Sequence, residues 1–575
     1  MKRLEKFVYT ILDSKYKKSL VIILTALAFF LSLLMFPTKL VLAKMLPGKS
    51  DNTFSVYIDT PKGSSIEQTK MISSCVINFL KKEKEIINME LFLGQGIPLD
   101  YAGLVKGASM KQSEDVSEIS VNLTDKHHRD EASFYMVQRL RPIIQRGCMP
   151  LLKGTNIKFI EQPSGPPTLA SIVVEVHGEN LSKIRSLSVN IADILSETEG
   201  LVDIDLMTDE NFIKYNLIPD KEKIARSGLS VEQVNNILYL GFEGMIIAHK
   251  NSKKLPDQIP IFLVLDKESR NIPLSNKESL ESKLSSLNLM NMKGMMVPLS
   301  EVVTIRPVKS NTMIMHKDLS RMVNVIAETD MVSQVYPLLE ARDVMLEKFE
   351  KDYIITKEGM STYMFDFTLE DKKTHEKFLI RWDGETKVTL DTFRDLGGAF
   401  ISALILIFLL LVIYYKSFAI AGIVLLGSFL SLIGVIVGHW VATLFTTDTF
   451  FLTATSLIGF IALIGISSRN SLLLIDFAKS LMECHGMKKR KAIAVATATR
   501  AKPIALTAVA IILGSALLAS DPVFGGLGVA LISGTVAAVF VSLLFVPVLM
   551  DNSAAMDFDK DPHCDIDHQN ISITK

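Results

Sequence analysis

The chain has 575 residues, of which 48% are hydrophobic, and its 62 basic residues balance its 62 acidic residues. This composition is too apolar for a soluble enzyme and too charged for a protein that lies wholly within a membrane, so it predicts membrane and soluble parts in one chain. The net charge of zero gives no indication of nucleic-acid binding.

The N-terminal segment, residues 1–18, is basic and precedes a first apolar stretch at residues 19–36. The length of this stretch is close to the number of residues, about 20, that span a hydrocarbon core. It is longer than the apolar core of a signal peptide, which has about 7–15 residues. It therefore predicts a transmembrane helix. A cleaved signal peptide is the alternative, since Val41-Leu42-Ala43 is compatible with a cleavage site.

A soluble insert of mostly polar residues follows, and its first part has a regular order of elements. Phe54, Val56 and Ile58 alternate with polar residues as in a half-buried strand. Similar patterns predict a strand at 54–58, a helix at 64–82, strands at 86–93 and 116–123, a helix at 129–146 and a strand at 156–160. This is the β-α-β-β-α-β order of a ferredoxin-like domain.

The same order begins again in the second part of the insert. The sequence predicts a strand at 171–176, a helix at 180–195 and strands at 201–206 and 212–216. An irregular, strand-rich stretch at 241–307 follows, and then a strand at 322–327 and a helix at 333–349. We therefore expect a second ferredoxin-like domain that carries an insertion.

Four methionines lie close together in the insertion, at Met290, Met292, Met295 and Met296. Thioethers favour soft ions such as copper or silver, so a metal site is one interpretation. The other is a half-buried hairpin strand that runs into Val297, and we favour the hairpin.

The four cysteines show no spacing typical of a metal site or of a disulfide framework. Cys75 and Cys148 can pair only if both face an oxidising compartment, and the sequence leaves this open. His563, Cys564 and His568 resemble a metal set, but they lie in a short acidic tail, which indicates disorder.

The C-terminal part contains five more apolar stretches, at 398–415, 418–437, 450–475, 504–519 and 523–550. Basic residues cluster before the first stretch of the chain and again at 488–491, and the positive-inside rule places both clusters in the cytoplasm. Both termini, including the tail 551–575, are then cytoplasmic. The insert lies on the far side of the membrane, which is the periplasm in a bacterium with two membranes.

Arg469 lies within the fourth of the six apolar stretches, and no acidic residue lies at comparable depth in any of them. A guanidinium inside a bilayer costs about 3 kcal/mol or more, so such residues usually face a protein interior and mark an ion or substrate pathway. The nearest carboxylate is Asp476, seven residues on and about 10 Å along the helix. Either Arg469 extends toward that membrane edge or its partner lies on another polypeptide.

Several segments together resemble the resistance–nodulation–division (RND) efflux permeases of the hydrophobe/amphiphile type. The closest likeness is IGFIALIGISSRNSLLLIDFAK at 458–479 followed by RAKPIALT at 500–507, which is similar to helices ten and eleven of that family. Further likenesses are Met45-Leu46-Pro47, the segment QPSGPP at 162–167 and Phe545-Val546-Pro547. The resemblance covers nearly the whole chain and rests on the order and spacing of these segments.

The resemblance implies a membrane α-helical bundle of six transmembrane helices with an α+β periplasmic insert. Such permeases have two six-helix halves, and this chain looks like the second half only. The insert would hold ferredoxin-like porter subdomains at 47–163 and at 168–216 with 310–387, and a docking subdomain at 217–309. Residues 1–18 would be a cytoplasmic linker, and 398–550 would hold the last five helices.

The resemblance also implies a proton-relay site. In this family a basic residue on helix ten and a threonine on helix eleven face two aspartates on helix four. The matching residues here are Arg469 and Thr507, with Asn470 beside the first and Arg500 at the cytoplasmic entrance to helix eleven. The aspartates belong to the missing half, so we expect a separate N-terminal-half polypeptide to supply them.

The expected function is therefore export of drugs or other amphiphiles, driven by the proton motive force and without a bound cofactor or enzymatic activity. The expected setting is the bacterial inner membrane, in a trimer with a periplasmic adaptor protein and an outer-membrane channel. The alternatives are half of a heavy-metal exporter, a non-transport relative active in protein export or lipid sensing, and an inactive relic of a split gene. His439 beside Trp440 is expected to be an interfacial anchor, with a proton relay as its alternative.

Overall fold

The computed structural model describes residues 2–558 except 47, 49, 99–100, 108–110, 162–164, 166–167, 209–211, 254–255, 266–276, 311–312, 331–332, 358–364 and 447–449. The tail residues His563, Cys564 and His568, Pro47, and most of the proline-rich segment 162–167 lie outside the described residues. The chain divides into two compact units. One holds Met1–Asp59, Lys70–Met207 and Met315–Lys575, and the other holds Thr60–Thr69 and Thr208–Ile314.

The N-terminal segment predicted as a linker is helical. It forms α1 (Lys2–Asp13), and Ser14 then caps α2 (Lys15–Leu34) by accepting a hydrogen bond from the backbone N–H of Lys17. Val8 and Leu12 of α1 are buried, whereas its lysines are exposed. This amphipathic pattern at helical spacing fixes α1 against the rest of the protein.

The first α/β domain has the predicted β-α-β-β-α-β order with one additional short helix. Its elements are β1 (Thr53–Asp59), α3 (Ile66–Leu80), β2 (Ile86–Gln95), α4 (Tyr101–Lys106), β3 (Gln112–Leu123), α5 (Ser133–Cys148) and β4 (Asn156–Glu161). The antiparallel sheet has the strand order β2-β3-β1-β4. Phe54, Val56 and Ile58 are buried in a cluster with α3 and α5, so the alternation in β1 follows from one face packing on helices.

A disulfide joins the two helices of this domain. Cys75 on α3 and Cys148 at the end of α5 are bonded, with their Cα atoms 5.9 Å apart. The bond closes a loop of sequence separation 73, which restricts the unfolded chain and so stabilises the folded domain. The pairing that the sequence left open is therefore made in the structure.

The second α/β domain begins with β5 (Ile172–His177), α6 (Leu181–Glu197) and β6 (Leu201–Met207). Asn180 caps α6 by accepting a hydrogen bond from the backbone N–H of Lys183. Every residue of β5 is buried, which fits a central strand covered on both faces.

The inserted unit follows and has its own core, which includes Ile224, Val234, Leu284 and Val302. Its elements are β7 (Ile213–Pro219), α7 (Lys221–Arg226), α8 (Val231–Phe242), β8 (Met245–Lys250), β9 (Ile259–Leu263), α9 (Lys277–Ser286), β10 (Asn288–Met290), β11 (Met296–Pro298), α10 (Leu299–Val302) and β12 (Val303–Lys309). The strand predicted at 212–216 is β7, and it pairs with β12 and not with the sheet of the second α/β domain. The sequence assignment of that strand to the second domain was wrong because the pattern of a single strand does not identify its partner.

The second α/β domain resumes after this insertion. Its remaining elements are β13 (Met315–Lys317), β14 (Ser320–Thr329), α11 (Val335–Phe349), β15 (Tyr353–Lys357), β16 (Phe367–Asp371) and β17 (Lys377–Asp383). The sheet has the order β13-β14-β5-β17-β16-β15, with β6 paired to β14. Phe367, Phe378 and Trp382 are buried under α6 and α11.

The two α/β domains meet at a buried aspartate in β6. Asp203 has a positive φ of 53°, and the register between β6 and β14 shifts beside it, so it occupies a β-bulge that redirects its side chain. Its carboxylate accepts hydrogen bonds from the Phe159 backbone N–H of β4, the Gln145 amide and the Arg141 Nε, each at 3.1 Å. The bulge therefore holds the free edge of β4 without strand-to-strand pairing.

A second group of charges lies beside this contact. Lys158 of β4 contacts both Asp59 and Asp205, and Lys111 also reaches Asp59 at 2.8 Å. Burial alone would raise the pKa of Asp59, but Lys158 and Lys111 hold it well below its usual range. Glu161 at the end of β4 behaves in the opposite way. Burial raises its pKa to about 7, and the nearby carboxylates of Glu328 and Asp330 add to this effect, whereas Arg141 and Lys44 oppose it.

The membrane part consists of α2 and five further spans, and six described helices are long and apolar enough to cross a membrane, as the hydropathy predicts. The later elements are α12 (Glu385–Tyr415), α13 (Phe418–Phe429), α14 (Leu432–Phe445), α15 (Ala454–Glu483), α16 (Lys489–Ala519), α17 (Gly525–Phe540) and α18 (Val546–Asn552). The third span runs to Phe445, beyond the predicted end at 437, and is interrupted between α13 and α14. The basic cluster at 488–491, which precedes the predicted fifth apolar stretch, is largely the first turn of α16, because lysine, arginine and alanine are good helix formers.

Close contacts between glycines and neighbouring helices fix this bundle. A Cβ on Gly434 would lie 2.4 Å from the Ser533 backbone oxygen, and a Cβ on Gly528 would lie 2.4 Å from the Ala519 nitrogen. Small residues at these positions let the helix backbones approach closely. Gly465 differs, because a Cβ there would meet nothing within 4 Å.

Candidate functional site

Helix α15 carries the candidate site, and its sequence explains where it begins. Thr453 and Ser456 form a capping box, in which each side chain binds the backbone N–H of the other. The helix then runs for 30 residues. Arg469 lies about 22 Å from its start and about 21 Å from its end at 1.5 Å per residue, and thus at its midpoint.

One face of α15 is covered by other helices and one face is open. Phe460, Leu463, Leu474 and Ile475 are among the residues on the buried face. The open face repeats every three or four residues and comprises Ile458, Ala462, Gly465, Arg469 and Leu473. We call these five residues the open stripe of α15.

Arg469 is exposed on this stripe and has no ion pair or hydrogen bond with any described residue. Asp476, which the sequence offered as its nearest carboxylate, instead accepts a hydrogen bond of 2.6 Å from the Tyr415 hydroxyl. The structure therefore gives Arg469 no carboxylate partner at the membrane edge within the described part of the chain.

Asn470 lies on the other side of the helix, and its residue surface is only 5% exposed. It belongs to a polar seam with Ser467, Ser468 and Ser471, of which Ser468 hydrogen-bonds the Ser428 hydroxyl of α13 at 2.9 Å. The hydroxyls of Ser467 and Ser471 find no hydrogen-bond partner among the described residues. Sequence reasoning missed these serines, although the run Ser-Ser-Arg-Asn-Ser inside an apolar helix is the signal that could have found them.

Arg500 and Thr507 lie on the neighbouring helix α16. The guanidinium of Arg500 lies over the Phe477 ring of α15, 4.8 Å from its centroid, which is a cation–π contact between the two helices. Thr507 is half-buried, and its hydroxyl donates a 2.9 Å hydrogen bond to the Pro503 carbonyl of its own helix. Among the described residues, no hydrogen bond or ion pair joins any two of the four predicted site residues.

His439 differs from its predicted role. Its side chain is buried inside the helices, with Nδ1 2.7 Å from the Val435 carbonyl oxygen and Nε2 2.8 Å from the Ser456 hydroxyl. It thus links α14 to the capped start of α15. The prediction of an interfacial anchor was wrong for His439, because its position beside Trp440 near the end of a span does not show which face of α14 is covered.

A small cavity lies on the first α/β domain and is lined by Tyr57, Asp59, Gln95, Lys111 and Glu118 with their neighbours. The space inside it holds about one water molecule at most, far less than the roughly 300–1,000 Å³ of sites for drug-sized ligands. The Glu118 carboxylate accepts a hydrogen bond of 3.0 Å from the Ile97 backbone N–H. This cavity alone therefore does not define a binding site for a large substrate.

The comparisons with known proteins agree with this architecture. The model of the AcrB/AcrD/AcrF family matches residues 2–551. The chain belongs to this family of RND efflux permeases. It is 23% identical over 554 residues to the swarming motility protein SwrC of Bacillus subtilis (strain 168). This alignment covers 94% of this chain and 46% of SwrC.

Two further relatives are multidrug proteins by name. The multidrug export protein AcrF of Escherichia coli (strain K12) is 34% identical over 151 residues, or 25% of this chain and 14% of AcrF. The multidrug resistance protein MdtC of Salmonella typhi is 23% identical and covers 75% of this chain and 38% of MdtC. The chain thus spans less than half the length of these relatives.

The fold is similar to that of a heavy metal efflux pump known from a crystal structure. The TM-score is 0.68 at 18% sequence identity, over 95% of this chain and 51% of that chain. At this identity the likeness shows the fold alone.

Proposed function

We propose that this chain is one half of a proton-coupled efflux permease, and that a second set of membrane helices outside residues 1–575 supplies the proton-binding carboxylates. The observation that carries the proposal is the position of Arg469. It is a permanently charged residue at the midpoint of a membrane helix, on an open face, with no partner among the described residues.

A guanidinium facing lipid at that depth would cost about 3 kcal/mol by insertion scales and more by other estimates. A carboxylate on an adjacent helix would remove much of this cost, because arginine binds carboxylates bidentately and stays protonated at any relevant pH. The charge of Arg469 would lower the proton affinity of that carboxylate. Arg469 would thus tune the proton site without itself carrying the proton.

The open stripe also favours packing against protein over contact with lipid. Gly465 lies one turn before Arg469, and open space surrounds the position of its missing Cβ. A glycine there gains nothing from lipid but lets another helix approach closely. Asn470, Arg500 and Thr507 would assist from their positions on α15 and α16, Arg500 by holding the two helices together through Phe477.

The proposed setting is the bacterial inner membrane, with both termini in the cytoplasm and the two α/β domains in the periplasm. The disulfide between Cys75 and Cys148 supports an oxidising compartment for the first α/β domain. The two α/β domains would be porter subdomains and the inserted unit a docking subdomain. The working assembly would be a trimer with an adaptor protein and an outer-membrane channel, and drugs or other amphiphiles would be the substrates.

One observation favours a heavy-metal exporter as a second candidate. The predicted hairpin forms, but the four methionines at 290–296 are exposed and not half-buried, so packing within the hairpin does not explain them. The name of SwrC also keeps open a role outside drug export. An inactive relic is the third alternative, which a measured efflux activity would exclude.

The test replaces Arg469 in the complete permease in cells. We expect Arg469→Ala to abolish proton-driven efflux while the protein still inserts and accumulates normally, and Arg469→Lys to retain part of the activity. The matched control is Arg394→Ala, because Arg394 is an exposed arginine in the first part of α12 that pairs with Asp391 and Asp395 of its own helix. Unchanged efflux in Arg469→Ala, or equal loss in the control, would contradict the proposal.

A further inference from the structure

Four methionine side chains are exposed together on one short hairpin of the inserted unit. Met290, Met292, Met295 and Met296 are 64%, 92%, 56% and 62% exposed. Methionine is normally a core residue, so this density of exposed thioethers in seven consecutive residues is unusual. The predicted hairpin forms, and its Leu289 and Val297 are half-buried, but the four methionines are exposed, so burial does not account for them.

The backbone beneath these side chains is fixed. Met290 and Met296 are directly opposed cross-strand partners at the end of the β10–β11 hairpin. Opposed residues of an antiparallel pair have Cβ atoms about 4.5–5.5 Å apart on the same face. Two long, flexible thioether side chains starting from that separation can reach one common ion.

The turn between the strands holds the other two methionines. Asn291 is buried, and its side-chain oxygen accepts hydrogen bonds from the backbone N–H groups of Lys293 and Met295, at 2.9 Å and 3.0 Å. Its amide nitrogen donates to the Ser227 carbonyl at 3.0 Å. The turn is thus anchored from below, while Met292 and Met295 project into solvent.

The donor chemistry of this hairpin selects one class of ion. Between residues 288 and 298 the sequence contains no His, Cys, Asp or Glu, and its single charged residue is Lys293. Hard cations such as Mg²⁺ or Ca²⁺ require oxygen ligands, and Zn²⁺ requires nitrogen, thiolate or carboxylate ligands. Neutral thioethers instead suit soft ions such as Cu(I), and a monovalent charge limits the repulsion from Lys293.

We propose that Met290, Met292, Met295 and Met296 form a binding site for a soft monovalent cation, Cu(I) or Ag(I). The site stands independently of the proton-coupled function, because it lies in the inserted unit and uses none of the residues of α15 or α16. Thioethers do not take up protons in water, so the affinity is unchanged between neutral and mildly acidic pH, unlike that of a histidine or cysteine site.

The experiment titrates the full-length protein in detergent with silver nitrate in chloride-free buffer. Methionine methyl groups labelled with ¹³C report on each thioether by NMR, and single Met→Leu variants assign the four signals among the 25 methionines. Methionine and leucine have similar volumes, so these variants retain the fold. We expect the four hairpin signals to shift together and to saturate at one equivalent of silver, equally at neutral and mildly acidic pH.

The controls use exposed methionines elsewhere. Met71 is 46% exposed and Met313 is 57% exposed, and their signals should not move at one equivalent. The double variant Met290→Leu/Met296→Leu should lose saturable binding, whereas Met71→Leu should retain it. Silver shifts that are absent, that are equal at Met71 and the hairpin, or that disappear at mildly acidic pH would overturn the proposal.

Discussion

Replacing Arg141 by methionine tests how the two α/β domains are held together. Arg141 on α5 reaches across to Asp203 of β6 at 3.1 Å and to Asp330 at 2.9 Å. Its side chain is 10% exposed and that of Asp203 is 1% exposed. Methionine retains most of the apolar volume but leaves the carboxylate of Asp203 without its cation.

The expected cost follows from this burial. Removing one partner of a buried ion pair costs about 3–5 kcal/mol, because the remaining charge is left uncompensated. Asp203 keeps the hydrogen bonds from Phe159 and Gln145 and can take up a proton, so we expect the lower end of this range. A loss of about 3 kcal/mol corresponds to a roughly hundredfold change in the opening equilibrium.

The loss should also depend on pH. Burial already raises the pKa of Asp203 above its usual value although Arg141 opposes this, so removing Arg141 should raise it further. A carboxyl group whose pKa is raised in the folded state contributes most stability below its unfolded pKa, and this contribution is lost as the pH rises through the folded pKa. The deficit of Arg141→Met should therefore be smaller near about pH 5 than near about pH 8.

Hydrogen exchange followed by mass spectrometry measures this opening in the full-length protein. Peptides from β4 and β6 should exchange about a hundredfold faster in Arg141→Met at neutral pH. Arg139→Met is the matched control, because Arg139 lies on the same helix but is 44% exposed and pairs with Glu83 and Glu131 of its own domain. Surface pairs contribute about 0–1 kcal/mol. Equal effects in the two variants, or faster exchange throughout β2 and β3, would refute the assignment of Arg141 as an interdomain contact.

Three other expectations follow from single features. Replacing Cys75 and Cys148 by serine should destabilise the first α/β domain by about 4 kcal/mol for a loop of this length, measured by urea unfolding against the oxidised protein. Gly384→Ala should lower the thermal stability, because Gly384 has a φ of +80° and an added Cβ would lie 2.5 Å from a backbone oxygen. Gly397→Ala is the control and should leave the stability unchanged, because an added Cβ there would meet open space. Thermal unfolding followed by tryptophan fluorescence measures both variants. Burial raises the pKa of Glu161 to about 7, so this residue should stabilise β4 fully below about pH 4.5 and progressively less as the pH rises through about 7. Glu161→Gln should remove this pH dependence, which hydrogen exchange of β4 peptides measures.

Periodicity predicted the elements of the first α/β domain well, because each element is short and packs its apolar side chains on the core through one face. Phe54, Val56 and Ile58 pack in the core with α3 and α5, so the alternation in the sequence identifies the face of β1 that meets the helices, although Ser55 and Tyr57 on the other face are also buried. The six membrane spans could also be predicted from the sequence, because length and hydropathy alone define them. The ends of the membrane helices were harder to predict, because α12 and α16 continue through charged residues beyond their apolar stretches.

Features that depend on a distant partner were not predictable. The αL conformation of Asp203 arises from a bulge against β14 and from donors on α5 and β4, none of which is near it in sequence. The burial of His439 likewise depends on Ser456 of another helix. For the candidate site, the sequence identified Arg469 as an unpaired charge. Only the packing of the helices shows that one face of α15 is buried and that the face carrying Arg469 is exposed.

The connections between the membrane helices and the α/β domains give the position of α15 a mechanical consequence. The segment before α15 forms a parallel bridge between Leu452 and Ala43, and Lys44 donates its backbone N–H to the Leu452 carbonyl at 3.1 Å. The segment before α15 is thus fixed to the segment that follows α2, and a shift of α15 along its axis would pull on Ala43 and Lys44.

The second α/β domain connects directly to a membrane helix. Strand β17 ends at Asp383 and α12 begins at Glu385, with only Gly384 between them. The Glu385 backbone N–H donates to the Ala170 carbonyl at 3.1 Å, which ties the start of α12 to the segment before β5. The second domain also contacts the segment beside α15, because the Ala43 carbonyl accepts a hydrogen bond from the Ser333 hydroxyl and the Phe36 carbonyl accepts one from the Tyr336 hydroxyl at 3.1 Å. A shift of α15 relative to α12 would therefore act on the second domain at two attachment points, and the contact between Arg141 and Asp203 would transmit it to the first domain.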